Sequence, residues 1–521
     1  MSKSLHGRAK SFRFILLAGF AFFPILEVAS LRGQDSQLGS TGTLEQLQRG
    51  FRDQPSAQMV PNVPREVDLV TEPATTSRLR LQYRFWPDDL SLKPGMAIVH
   101  LDRALIFYQQ LGKPALQDWN DYQVALDDAN PDPADLRKRL EMFGNVYQEL
   151  SRFAECEDLS WDLRLRDLRG VDVYGFLLPE VQQYRELARL LRFRALEQLG
   201  RGDFDGAIAT IRCGYRLAAF VRQGETLIQQ LVGIAIEGIM QGVVEDAIRT
   251  PGCPNLYFAL ATVPHERRPM FRALEFEISS FKRVFPLLNE PETQTWSREV
   301  WAQKWSEAAD SLSQLSGMGM GSEDSRGKAL LSLVLAAEVA SDARTARRQL
   351  VEAGLNPDKV AAMFPEQALA IDTSLQLRKW GEELLASFLL PTPAAQSAAQ
   401  AVESRMSLGF DLPTSRNIGL VFGGLLLPAV NAAIQAELRV QSTHHRLLTI
   451  EAIRHYAATH DGKLPQSLAE LTELPPQIDL HTGELIGYEV KSGPEGEWAE
   501  LSIETKTLPE EMTIRRMKFR R

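Results

Sequence analysis

Between Pro94 and about Met406 the chain repeats one pattern: apolar residues at helical spacing, over stretches of helix length, closed by glycine or proline. Such segments run from Leu136 to Phe153, Glu180 to Gly200, Phe204 to Val221, Leu227 to Ile248, Arg267 to Phe285, Ala329 to Glu352 and Pro365 to Leu389. Gly200, Gly202, Pro251, Pro254, Pro286 and Pro391 punctuate them. The expected fold is mainly α, a multi-helix domain over residues 77–410. One short strand is expected ahead of it, where Arg78 to Phe85 alternates apolar and polar residues before Pro87.

The sharpest local signal inside that body is Leu199-Gly-Arg-Gly-Asp-Phe-Asp-Gly-Ala-Ile208. It resembles the turn and second-helix start of a tetratricopeptide repeat, in which a small residue at the place of Ala207 lets two helices approach. A solenoid needs about three such units to bury a continuous core, and one is visible. The expectation is therefore a tetratricopeptide-like hairpin within a larger helical domain.

The first thirty residues read as a signal peptide. Lys3, Arg8, Lys10 and Arg13 precede the apolar run Phe14 to Leu26, and Val28-Ala-Ser30 supplies small residues for cleavage after Ser30. The run is short of the roughly 20 residues a spanning helix needs. This places the protein in the periplasm or otherwise outside the cytoplasm. Residues 31–76, rich in Gln, Ser, Thr, Gly and Pro, are expected to form a flexible linker. The net charge of −9 argues against a nonspecific nucleic-acid binder, which needs a basic surface. Three cysteines, Cys156, Cys213 and Cys253, leave two possibilities in an oxidising compartment: a Cys213–Cys253 bridge with one spare thiol, or three buried thiols acting as small hydrophobes.

The Leu227 to Ile248 segment is apolar on nearly every side. Glu237, Gln241 and Glu245, at i, i+4 and i+8, form its one polar stripe, either a narrow solvent face or the acidic wall of a cleft. Gly238 and Gly242 at the same spacing are read as sites of close helix packing, since Glu237 is costly in lipid.

Common catalytic motifs fail at named positions. In the Gly/Ser-rich loop Met318 to Gly327, Gly327-Lys328 suggests a phosphate loop, but Ser322 stands at the first glycine and Ala329 at the magnesium-binding hydroxyl. His265-Glu266 would begin a zinc-protease motif, but Pro269 holds the place of its second histidine. No serine has the flanking glycines of a nucleophile elbow.

The character changes near Arg416. Ile418 to Ile434 is strongly apolar, interrupted by Pro428 and Asn431, and is read as a core or domain-packing helix, with a membrane span as the alternative. It runs on into a helix ending near His460 at the Asp461-Gly462 turn. Ser467 is expected to cap a following helix, Asp479 to Tyr488 to turn into a strand, and Glu497 to Glu504 and Met512 to Phe519 to be strands.

Ile450-Glu-Ala-Ile-Arg-His-Tyr456, Gly462-Lys-Leu-Pro-Gln-Ser-Leu468 and Thr482-Gly-Glu484 together resemble the helix, Pro-Ser-Leu turn and Thr-Gly loop of type II secretion pseudopilins. The chain is also similar to large secreted proteins typical of planctomycete bacteria that carry this module at the C-terminus. The resemblance implies a small α+β module over 411–521. It does not imply pilus assembly, because Leu480 stands where those proteins have proline and the prepilin processing motif is lacking.

Five of the eight histidines gather there: His444, His445, His455, His460 and His481. Glu451 and His455, at i, i+4, are spaced to share a metal ion, but His444 lies roughly 10 Å further along the axis, so the set is incomplete. The tail Arg515-Arg-Met-Lys-Phe-Arg-Arg521 suits either an edge strand guarded by charge or contact with anionic lipid.

No catalytic, cofactor-binding or metal site is assigned from these residues. The expected function is a non-catalytic binding or scaffolding role in the cell envelope, with a protein partner. The alternative is an exported hydrolase whose site is assembled from dispersed acids and histidines, Glu237 among them.

Overall fold

A computed structural model of the chain describes residues 65–126, 133–161, 163–168, 170, 178–265, 268–320, 343–390, 394–395, 397–399, 401–402, 418–494, 496–503 and 513–520. The expected signal peptide, most of the expected linker, most of the 318–327 loop and residues 329–342 lie outside the described residues, as do the side chains of 418–432.

The protein is mostly helical, with a small sheet in its C-terminal region. After strand β1 (Arg65–Thr71) come β2 (Lys93–Met96), α1 (Ala97–Gln110), α2 (Gly112–Leu126), α3 (Pro133–Leu140), α4 (Gly144–Glu155) and β3 (Cys156–Asp158). Next are α5 (Leu178–Gly200), α6 (Phe204–Arg222), α7 (Leu227–Arg249), α8 (Tyr257–Ala261), α9 (Arg268–Val284) and α10 (Arg298–Met320). Then follow α11 (Pro357–Ala362), α12 (Pro365–Phe388), the long α13 (Ile418–Thr459), β4 (Gly487–Gly493), β5 (Gly496–Ser502) and β6 (Thr513–Phe519).

Local chemistry sets the ends that matter most. Gly202 takes φ +76° to reverse the chain after α5, and the Asp203 carboxylate caps α6 by accepting from the Gly206 amide at 2.9 Å. Thr226 and Gln229 form a reciprocal capping box on α7. Asp461 and Gly462, both left-handed, stop α13, and the Gly462 amide returns to the Ala457 carbonyl at 2.8 Å.

α5, α6 and α7 pack on one another, α7 lies against α13, and α13 also touches α12. The expected hairpin is present, with Ala207 buried at its close approach. α7 is long and apolar enough to cross a membrane, but 78% of its most apolar window is buried in the protein, which makes it the central core helix. Two glycines admit large neighbours: a Cβ at Gly214 would collide with the Met240 side chain, and one at Gly233 with the Arg222 side chain.

The sheet runs β1-β6-β5-β4, with β1 parallel to β6 and the other pairs antiparallel. Leu69, Ala499, Leu501 and Met517 on its inner face join the same apolar core as Ile236, Val243, Ile450 and Ile453. The body and the C-terminal sheet thus share one core.

Several expectations are corrected. Residues 78–85 are turns and bends; the strand before the body is β1, which lies inside the segment expected to be a flexible linker. β1 gains order because β6 offers it a partner more than 440 positions away. Leu136 to Phe153 is not one helix but α3 and α4 with a 3-10 turn between them. Ser467 heads a 3-10 turn with no side-chain cap. β6 is an inner strand and not an edge, and its cations are engaged: Arg515 with Glu245 at 3.1 Å, Arg516 with Glu500 at 3.6 Å, and Lys518 above Trp498. All three cysteines are free and buried, so the Cys213–Cys253 bridge does not form. Gly238 and Gly242 meet nothing where a Cβ would stand and are not packing contacts.

Candidate functional site

Two places concentrate polar groups in the body, a buried seam along α7 and a cleft beside the tetratricopeptide-like hairpin.

The seam is the polar stripe of α7. Glu237, Gln241 and Glu245 are neither a solvent face nor a cleft wall; each is buried, Glu237 against Arg222 of the preceding helix and the other two against partners far along the chain. Arg222, at the end of α6, donates to Glu237 at 3.1 Å and to Glu437 on α13 at 2.6 Å. Gln241 donates to the Val440 carbonyl at 2.9 Å, and Glu245 holds Arg249 and Arg515. Gln441 completes the set with a bond to Glu437. A single buried guanidinium therefore bridges two carboxylates and fixes α6, α7 and α13 together.

Two histidines adjoin it. His265, ahead of α9, keeps 24% of its side chain accessible and places Nδ1 3.7 Å from Glu237 Oε1, which is beyond hydrogen-bond reach. His444 stacks edgewise on His265 with ring centroids 4.0 Å apart, and it is buried with Nδ1 unbonded. Burial pushes Glu237 up to about 7, with Arg222 opposing and Glu437 adding to the rise. Burial holds His265 down at about 4, helped by Arg222 and His445, and drives His444 well below its usual value. At neutral pH both imidazoles are therefore uncharged.

The cleft encloses about 470 Å³ between α4, α5, α6 and the segment leading into β2. That volume suits a small-molecule site. Gly206 and Ala209 on α6 leave room for it, and Tyr147, Leu150 and Leu191 supply an apolar wall. Its charged lining is Lys93, Glu155, Arg194 and Arg212. Lys93 and Glu155 neutralise each other at 2.5 Å. Arg194 lies over the Tyr147 ring, 4.3 Å from its centroid, and Arg212 donates through Nε to the Arg84 carbonyl at 2.9 Å. Neither is ion-paired to a carboxylate among the described residues. None of the lining residues belongs to the seam.

No protein-family model matches the chain, and neither does a curated protein or a solved structure.

Glu451 and His455 do not share a site, although one turn of α13 separates them. Glu451 is fully buried, paired with Arg454 at 2.8 Å and accepting from the Leu256 amide. Arg454 also donates to the carbonyls of Glu72 and Cys253, which anchors the chain after β1 and the loop after α7. His455 turns elsewhere, taking the Thr76 amide on Nδ1 and facing Glu473 with Nε2 at 2.8 Å. His445 bonds the Ile478 carbonyl, His460 stacks on Tyr456, and His481 is buried in the turn before β4. Among the described residues no group of three potential metal ligands converges.

Sequence reasoning singled out Glu237 and His444 but missed Arg222, Glu437 and the cleft arginines. The available signal was an arginine closing an otherwise apolar helix end at Arg222, followed by a glycine at Gly233 in the next helix. Nothing in the sequence pairs Arg194 with Arg212, because they come from different helices.

Proposed function

We propose that the protein is an exported, non-catalytic binding protein of the cell envelope whose ligand site is the cleft beside the α5–α6 hairpin. The observation that carries this reading is the composition of the cleft. It combines an apolar wall, a neutralised Lys93–Glu155 pair and two arginines that are not ion-paired to a carboxylate among the described residues. The leader-like first thirty residues support export, and the run of a long helix into the antiparallel strands β4, β5 and β6 supports a pseudopilin-like C-terminal module. Fold alone names no partner.

The test is a thermal-shift screen of the purified protein against chemically diverse small molecules, with Ala209→Trp as a cleft-filled control. Ala209 is exposed at the cleft wall, so the substitution leaves the core intact. Stabilisation by a ligand, lost in Ala209→Trp, supports the proposal. Stabilisation that Ala209→Trp leaves unchanged overturns it. N-terminal sequencing of exported protein beginning near Leu31 supports the location, and material found only in the cytoplasm opposes it.

A second reading rests on one observation. Glu237 titrates near neutrality beside the partly accessible His265, the arrangement of a general acid or base. A broad hydrolase assay decides it: turnover abolished by Glu237→Gln and by His265→Ala replaces the binding-protein reading with an enzyme.

A further inference from the structure

The cleft holds an electrostatic imbalance. Of its four charged side chains only Glu155 is acidic, and Lys93 already neutralises it. Two guanidinium groups remain in a protein of net charge −9. Arg212 is half-buried and fixed through Nε to a backbone carbonyl, and its two terminal nitrogens have no acceptor among the described residues. Burial holds its basicity down, and Arg84 nearby adds to that. Arg194 is held over the ring of Tyr147, which orients it without neutralising it. The Gln198 amide and the Thr210 hydroxyl, bonded to each other at 2.7 Å, lie in the same wall.

Resting on the binding-protein reading above, we infer that the cleft binds an organic oxyanion, its charge taken by Arg194 and Arg212 and its apolar part laid on Leu150, Leu191 and Tyr147. Guanidinium forks match carboxylate and phosphate oxygens in pairs, and a half-enclosed wall strengthens such bonds relative to water. The cleft volume limits the occupant to a small molecule or a chain end.

Calorimetric titration of the full chain with 3-phenylpropionate, phenyl phosphate and the neutral 3-phenylpropanamide tests this. At least one acid binds, the amide binds tenfold or more weakly than it, and Arg194→Gln and Arg212→Gln each weaken the acid about tenfold. Which acid binds tells carboxylate from phosphate. Arg212→Lys, which keeps the charge and loses the fork, recovers only part of the affinity. Arg194→Gln guards against misfolding, because that side chain lies over the Tyr147 ring and has no carboxylate partner among the described residues.

Equal binding of acid and amide, both lost in Ala209→Trp, overturns the oxyanion inference and leaves the binding-protein reading intact. No binding of any probe, or acid binding indifferent to both arginine substitutions, overturns the inference outright. Failure of the broader ligand screen as well removes the binding-protein reading.

Discussion

Arg222 and Glu437, 215 positions apart, meet at 2.6 Å in the protein interior, and the same guanidinium holds Glu237 at 3.1 Å. Gly233 makes this possible, because its missing side chain leaves the space the Arg222 stem crosses on its way over α7. The three charged groups join the helical body to the helix that leads into the C-terminal sheet.

Arg222→Ala leaves two carboxylates buried without their shared cation, and we expect a loss of roughly 3–5 kcal/mol in urea unfolding. Replacing all three residues together, Arg222→Met with Glu237→Leu and Glu437→Leu, is expected to restore most of it, since a packed apolar trio removes the desolvation cost. A loss under about 1 kcal/mol for Arg222→Ala would show that the trio is not buried as described.

Stability is expected to depend on pH through Glu237. Its folded value of about 7 lies above the unfolded value of about 4.3, so between these the folded state holds a proton that the unfolded state has released. The Glu237 contribution therefore falls as pH rises from about 4 to about 7 and is level above that. Glu237→Gln removes this term, so the variant gains on the wild type across that window by roughly 2–4 kcal/mol. His265, held at about 4, works in the opposite sense: its unfolded imidazole takes a proton first, so its contribution falls as pH drops from about 6.5 to about 4. Chemical unfolding at several pH values separates the two, and a constant difference between wild type and Glu237→Gln would contradict the first.

Glycines of one composition have opposite roles. Gly214→Ala and Gly233→Ala are expected to destabilise by about 1–3 kcal/mol, through Met240 and Arg222 respectively. Gly238→Ala and Gly242→Ala meet open space and are expected to stabilise α7 by up to about 1 kcal/mol. Thermal melts of the four variants check both signs.

The thiols give a simple chemical test. Burial pushes Cys213 up to about 12 and, with Glu451 adding, Cys253 to about 12 as well. Both should resist a thiol-reactive reagent in the native protein, and all three cysteines should titrate in concentrated guanidinium chloride without prior reduction. Only one reactive thiol under denaturing conditions would restore the bridge that the fold excludes.

The α7 stripe illustrates how far the sequence could be read. Its spacing placed Glu237, Gln241 and Glu245 on one face correctly, but their surroundings were misjudged, because polar residues on one helix face read as solvent-facing unless a distant partner is known. The same limit explains the misplaced strand. Residues 78–85 alternate as a strand would, yet among the described residues no strand pairs with them, whereas Arg65–Thr71 finds β6. Gly238 and Gly242 had the spacing of a packing motif without a helix against them.

What the sequence by itself determined was local. Helical periodicity, glycine and proline stops, and the caps at Asp203 and Thr226 depend on residues within a turn or two of each other, so α5, α6, α7, α9 and α12 emerge close to their expected ends. Tertiary structure alone decided which charges are neutralised and which remain. Arg222 reaches Glu437, Arg515 reaches Glu245, and Arg194 and Arg212 come to one cleft without an ion-pair partner there. The physical reason is that Coulomb and desolvation energies depend on distance and burial in space, and neither is written in the order of the residues.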